Sequence, residues 1–266
     1  MKTTILTLAI FACSVPASAQ RGEEKSLSCD HASFNQSKMV TNCEMREQTV
    51  AFAGRLSVDP GMNGGVTING WDNPTVLIRS KVEAAGLDDG SAKMIGAQIH
   101  VDISGGVVNT TGPSQDSDQS WSVSHEIFVP RQADLNVKTF NGGIAISGVR
   151  GNIQFNAMNG GVSLKRLAGD VEGTTQNGGV TVELAGERWD GNKLDARTTN
   201  GGVTVTMPEH YSAHFETGTV NGKLNVDFPM TVHGEIGRRL VTEIGSGGPT
   251  IHVETTNGGV SVKRAM

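Results

Sequence analysis

Thr175-Gln176-Asn177-Gly178-Gly179-Val180-Thr181-Val182 recurs in near-copy from the middle of the chain to its last residues, anchored on Asn141, Asn159, Asn177, Asn200, Asn221 (as Asn-Gly-Lys-Leu) and Asn257. The anchors stand 18, 18, 23, 21 and 36 residues apart. A unit recurring at about twenty residues, with turn residues between alternating aliphatics, predicts stacked rungs of a β-solenoid, not a sandwich. Six and four residues before each Asn stand pairs such as Leu135 and Val137, Ile153 and Phe155, and Ile251 and Val253. Three and five residues after it stand pairs such as Ile144 and Ile146, Val180 and Val182, and Val260 and Val262. Period-two alternation over such short runs means strands with one buried face, and helix spacing fits none of them. Asn-Gly-Gly is read as a sharp corner using positive φ, with the corner asparagines stacked as an amide ladder. A second corner lies at Gly148-Val149-Arg150-Gly151 and its copy Leu167-Ala168-Gly169-Asp170, and the 23-residue spacing implies an insertion at Glu187 to Gly191.

The fold expected is therefore all-β, a right-handed β-solenoid with rungs of 18–23 residues, the hand following the general preference of parallel crossovers. Residues 56–266 would form it, degenerate to about residue 130 and regular from 131. An early copy, Met62-Asn63-Gly64-Gly65-Val66-Thr67-Ile68, ties the front half to the back. Residues 20–55 lack this register and are expected to form an irregular or short helical cap over the first rung.

Met1 to Ala19, with Lys2, an apolar run from Ile5 to Cys13 and Ala17-Ser18-Ala19, has the form of a secretory signal. A lipoprotein reading through Cys13 meets Phe11 where a small residue is wanted. The expected location is periplasmic, cell-surface or extracellular, and no later apolar run is long enough to span a bilayer. Cys29 and Cys43 remain after processing, and a disulfide is the economical reading in an oxidising compartment. A net charge of −5 disfavours nucleic acid and anionic membrane as partners.

Cys43-Glu44-Met45-Arg46-Glu47, Gly70-Trp71-Asp72, Val129-Pro130-Arg131 and the repeated Thr-x-Asn-Gly-Gly-Val-x-Val resemble the bacterial β-strand-repeat family of unknown function labelled adhesins. The late stretch from Gly247 to Gly258 carries the strongest match. The resemblance implies a β-solenoid, exported or envelope-associated, with no established catalytic residues to carry over.

Chemistry is sparse. His210 and His214 have a zinc-like separation, but Pro208 places them in a turn leading into a strand and no Glu follows the first His. Asp88-Asp89-Gly90 and Asp116-Ser117-Asp118 do not continue into calcium-loop spacing and are read as turns. No nucleophile elbow, P-loop or dinucleotide fingerprint is present, and neither metal nor cofactor is expected. Five residues before the anchors, Glu172, Asp195 and Glu216 would stand on successive rungs about 4.8 Å apart. This acidic column is either a solvated stripe or the acid pair of a polysaccharide-active β-helix enzyme, a glycosidase or lyase. As a stripe of repelling charges, its neutralisation is expected to leave stability unchanged or improved. Few aromatics accompany it, with three Trp and one Tyr. The opposite outer face carries Ala145, Ser163, Thr181, Thr204, Asn225 and Ser261, flat and small enough to lie against a glycan, an envelope polymer or an envelope protein. The function read from these residues is an exported adhesin-like or envelope-associated binding scaffold without catalytic activity.

Overall fold

The computed structural model describes residues 27–30, 39–228 and 237–265. The signal segment 1–19, and residues 20–26 and 31–38 of the expected cap, lie outside the described residues. The chain opens with β1 (Val40–Ala51), β2 (Arg55–Asp59), β3 (Val66–Trp71), β4 (Thr75–Gly86), helix α1 (Asp89–Ala97), β5 (His100–Ser104), β6 (Val107–Thr111) and β7 (Ser120–Pro130). Regular pairs follow: β8 (Asp134–Asn141) with β9 (Ile144–Ser147), β10 (Arg150–Asn159) with β11 (Val162–Lys165), β12 (Ala168–Asn177) with β13 (Val180–Glu183), and β14 (Lys193–Asn200) with β15 (Val203–Met207). The chain ends in β16 (Ala213–Asn221) with β17 (Leu224–Asp227), then β18 (Arg239–Ile244), then β19 (Thr250–Asn257) with β20 (Val260–Arg264).

Among the described residues two ten-stranded sheets result, and neither closes into a barrel. Sheet A runs β1-β4-β7-β3-β9-β11-β13-β15-β20-β17 and sheet B runs β18-β16-β19-β14-β12-β10-β8-β2-β6-β5. The chain crosses between the sheets at each Asn-Gly-Gly corner, and successive passes pair in parallel and in register, as in Asn159 with Asn141 and Val162 with Ile144. Inward residues of both sheets, among them Leu135, Ile153, Val171, Leu194 and Ile251 from B and Ile144, Leu164, Val182 and Val205 from A, fill one continuous core.

Stacking order departs from chain order at both ends. The pass β19/β20 inserts between β14/β15 and β16/β17, and the pass β2/β3 lies inside β6/β7. Every pass carries the same inward pattern, so the repeat alone does not say which copy stacks on which. At the far end Leu224 and Val226 are only half-buried, whereas Val260 and Val262 one strand inward are fully buried. Antiparallel β18 covers β16 there.

The N-terminal region differs from the expected irregular cap. Val40–Ala51 is a regular strand antiparallel to β4, with Cys43 opposite Glu83. Helix α1 begins where Asp88, read as part of a turn, accepts from the Ser91 backbone N–H at 2.7 Å and the Ser91 hydroxyl in turn accepts from the Asp88 backbone N–H at 3.0 Å, completing a capping box. Ile95 then packs with Val82, Ala84, Ile99, Trp121 and Val123 in a second, smaller core.

The corner mechanism also differs. The glycines at positive φ include Gly148 (66°) and Gly169 (97°) of the second corner, but neither Gly178 nor Gly201. These two are glycine for want of space. A Cβ on Gly178 would overlap the Gly160 carbonyl, and one on Gly201 would overlap the Gly178 carbonyl, because adjacent rungs approach backbone to backbone. Around this contact runs the amide ladder: Asn221 donates to Asn257, Asn257 to Asn200, Asn200 to Asn177 and Asn177 to Asn159, all at 2.8 Å, then Asn159 to Asn141 at 2.9 Å and Asn141 to Asn63 at 3.0 Å. Gln115 receives the last amide, from Asn63, at 3.1 Å. Two residues before the anchors a buried threonine column supports the same corner from inside: Thr175 donates to the Gly160 carbonyl at 2.7 Å and Thr198 to the Gly178 carbonyl at 2.7 Å. The Glu187 to Gly191 insertion drives Trp189 into the core, where its indole donates to the Gly169 carbonyl at 2.9 Å.

Candidate functional site

Outward alternation on sheet B brings together the side chains of the acidic column, but in a different order from the one expected. Glu172 registers with Asp195, Asp195 with His252, and His252 with Glu216, so the inserted pass β19 separates Asp195 from Glu216. Each carboxylate meets a cation. Lys193 reaches Glu172 at 2.5 Å, Arg197 grips Asp195 with bonds of 2.9 and 2.8 Å, and Arg239 approaches Glu216 at 3.5 Å. His252 lies 3.2 Å from Asp195 and 3.2 Å from Glu254, and His214 bridges Glu243 and Glu216 at 2.5 and 3.1 Å. The hydrogen bond and charge of Glu243, with those of Glu216, hold the His214 imidazole above its ordinary pKa. The column is thus a set of paired carboxylates interrupted by His252, and not three contiguous carboxylates. His210, four residues before His214, is exposed in the turn ahead of β16, and no group of three or more His, Cys, Asp or Glu among the described residues is arranged to hold a metal ion.

On sheet A the outward row runs Thr67, Ala145, Ser163, Thr181, Thr204, Ser261 and Asn225 across consecutive strands. Small side chains leave it low. An open trough of about 640 Å³ runs over Thr67, Ala145, Ser163 and Thr181. Beside it a cavity of about 250 Å³ is bounded by Thr67, Asn69, Glu126, Ser147 and Lys165, with Leu27 over both. Cys29, two residues beyond Leu27, is joined by a disulfide to Cys43 on edge strand β1. That bond ties the segment carrying Leu27 to the rim of sheet A.

Along the same strands as two of these lining residues, Trp71 stands two positions beyond Asn69 and Phe128 two beyond Glu126, on the same outward face. Their ring centroids are 5.5 Å apart. The Trp71 indole donates to the Thr75 carbonyl at 2.9 Å, and Arg131 holds Asp72 with bonds of 2.6 and 3.1 Å, which fixes the turn that carries the tryptophan. The Arg131 hydrogen bond and charge hold the Asp72 carboxyl below the ordinary carboxylate range. Glu126 is nearly buried and paired with Arg79 at 2.5 Å, and Arg79 also lies 3.4 Å from Glu47.

Sequence reasoning missed this cluster. The alternation of Trp121, Val123, His125, Ile127 and Val129 makes Glu126 and Phe128 outward residues, but that β7 pairs with β3 in parallel, setting Phe128 against Asn69, is a long-range fact. Beneath it on the inner side, His125 is sealed between the hydroxyls of Ser80 at 2.9 Å and Thr110 at 3.1 Å, and burial pushes its imidazole down to about 4.

Residues 84–263 match the Toastrack DUF4097 family. The match covers well over half of the chain, which belongs to this family of unknown function. Similar solved structures include a candidate cell adhesion protein from Clostridium sporogenes ATCC 15579, with a TM-score of 0.44 and 13% identity over 84% of this chain and 100% of that one. A candidate adhesin from Bacteroides fragilis NCTC 9343 gives 0.36 and 11% over 84% and 97%. A candidate lipid-binding protein from Parabacteroides distasonis ATCC 8503 gives 0.29 and 11% over 85% and 97%. No curated protein matches. No helix among the described residues is long and apolar enough to cross a membrane.

Proposed function

We propose that the chain is an exported, envelope-associated binding scaffold without catalytic activity, a right-handed β-solenoid over residues 56–266 that follows a signal segment at 1–19. The outer face of sheet A is its docking surface, for an envelope glycan or envelope protein. The observation that carries this reading is the trough along Thr67, Ala145, Ser163 and Thr181, where a row of small residues on rigid paired strands leaves a concave surface with its backbone already ordered. Parallel passes of this kind favour the right hand.

Glu172 and Asp195 do neighbour one another across β12 and β14, which is the one point in favour of a polysaccharide-active enzyme. Both carboxylates are engaged by Lys193 and Arg197, an arrangement that suits structural ion pairs better than an acid and base poised for glycosidic cleavage. The test is a binding screen of the protein against envelope glycans and envelope proteins, run with a polysaccharide-cleavage assay. Binding that disappears in Ser163→Trp and Thr181→Arg, without sugar release, is expected. Reproducible cleavage lost in Asp195→Asn with the fold intact would replace the scaffold reading by the enzymatic one.

A further inference from the structure

We propose that the cavity beside Trp71 and Phe128 is a site for a single neutral sugar ring, the point at which the docking face grips a glycan. This rests on the docking-face reading above and goes further by naming the ligand chemistry.

Size sets the first limit. At about 250 Å³ the cavity falls below the roughly 300 Å³ at which pockets for drug-sized ligands begin, so it takes one small ring and not an extended chain. The lining sets the second. Thr67 and Ser147 offer hydroxyls and Asn69 offers an amide, groups that each donate and accept, as a polyol requires. Charge sets the third. Glu126 on β7, itself paired with Arg79, and Lys165 three strands away on β11 put one group of each sign at the cavity, so its lining is not a single-sign site for an ion. The aromatic pair is the fourth. Trp71 and Phe128 are half-buried and pack on one another, the Trp71 indole is held by its bond to the Thr75 carbonyl, and an aromatic face fixed in this way receives the C–H face of a pyranose at little entropic cost. Composition alone argued against sugar binding because the chain has few aromatics. The fold brings two of them, 57 positions apart in sequence, together on the strands that carry Asn69 and Glu126 of the cavity.

The experiment is an NMR titration of the ¹⁵N-labelled protein with the methyl glycosides of glucose, galactose, mannose and N-acetylglucosamine, and with glucuronate as the charged counterpart. At least one neutral glycoside is expected to shift the Trp71 indole and Asn69 side-chain signals saturably. Asn69→Ala should weaken that binding at least about fivefold, the loss of one hydrogen bond, and Trp71→Leu likewise, both with otherwise native spectra. Should either variant unfold, Ser147→Ala in the same cavity serves in its place, with the same weakening expected. No saturable shift from any neutral glycoside, a response to glucuronate alone, or unchanged affinity in the folded variants would overturn the assignment. If envelope binding is still lost in Ser163→Trp while the glycosides fail, only the sugar site falls. If Ser163→Trp and Thr181→Arg leave envelope binding intact, the docking face itself falls.

Discussion

Gly201 stacks on Gly178 so closely that a methyl group on its Cα would overlap the Gly178 carbonyl. Neither residue has positive φ. Space between rungs, and not backbone handedness, therefore fixes glycine here. Gly201→Ala should destabilise by about 1–3 kcal/mol, the usual cost of overpacking, and Gly201→Val by at least as much. Gly186 provides the contrast, with φ +76° and open space around it; Gly186→Ala should cost about 1 kcal/mol through backbone strain alone. Denaturant melts of the three variants check this, and an Ala at 201 without effect would remove the steric account.

The buried threonines make a sharper test. Thr198→Val keeps the shape of the side chain but leaves the Gly178 carbonyl without its 2.7 Å bond, and should cost about 1 kcal/mol. Thr139 occupies the same column, yet its hydroxyl is buried without a hydrogen-bond partner. Thr139→Val should be neutral or stabilising by up to about 1 kcal/mol. Equal losses in both variants would show that the hydrogen bond is not what the column contributes.

Two histidines should respond to pH with opposite signs. Burial lowers His125 to about 4, below the value of 6.5 of an unperturbed imidazole, so its contribution is present above pH 6.5 and is lost as pH falls toward 4, by about 3 kcal/mol in all. His214 is raised by Glu243 first and Glu216 second, so its contribution is full below pH 6.5 and is lost as pH rises through its folded value. Histidine ring titrations by NMR, alongside stability measured from pH 4 to 8, should show His125 titrating near 4. A normal midpoint for His125 would mean that water reaches the Ser80 and Thr110 layer.

Because the acidic column is paired, the triple change Glu172→Gln, Asp195→Asn and Glu216→Gln should lower the melting temperature slightly, contrary to what repelling carboxylates would give. The pair Arg197 and Asp195 is suited to a double-mutant cycle, with a coupling of under about 1 kcal/mol for a partly exposed pair. A stabilised triple mutant would mean that repulsion outweighs the pairing.

Reducing the Cys29 to Cys43 bond should destabilise by about 2–4 kcal/mol on loop-closure grounds. It should also release Leu27 from the sheet A trough. The melting shift and the accessibility of Ser163 to a blocking probe report the two effects separately, and unchanged accessibility would detach Leu27 from the disulfide.

Much of the sheet structure was legible because its cause is local. The period-two alternation around each Asn determines which residues face inward, and a strand buried on one face admits no other reading. The amide ladder follows from identical residues stacked in register. What escaped reading depended on which copy lies beside which. The same alternation that reveals a strand makes all copies alike, so the insertion of β19/β20 between β14/β15 and β16/β17 leaves no mark in the repeat, and with it went the order of Asp195, His252 and Glu216. The Asn-Gly-Gly corner was recognised but explained wrongly, because the close approach that demands Gly178 comes from the neighbouring rung.

By itself the sequence determined the inward and outward faces, the corners and the membership of a strand-repeat class, since each rests on contacts within about twenty residues. Only the tertiary structure decided the antiparallel N-terminal strands, the reversed stacking at both ends, the pairing of every acid in the column, and the meeting of Trp71 with Phe128 beside Asn69 and Glu126. Those depend on the register between β3 and β7 and between β14, β19 and β16, which is set by burial summed over the whole stack and not by any one repeat.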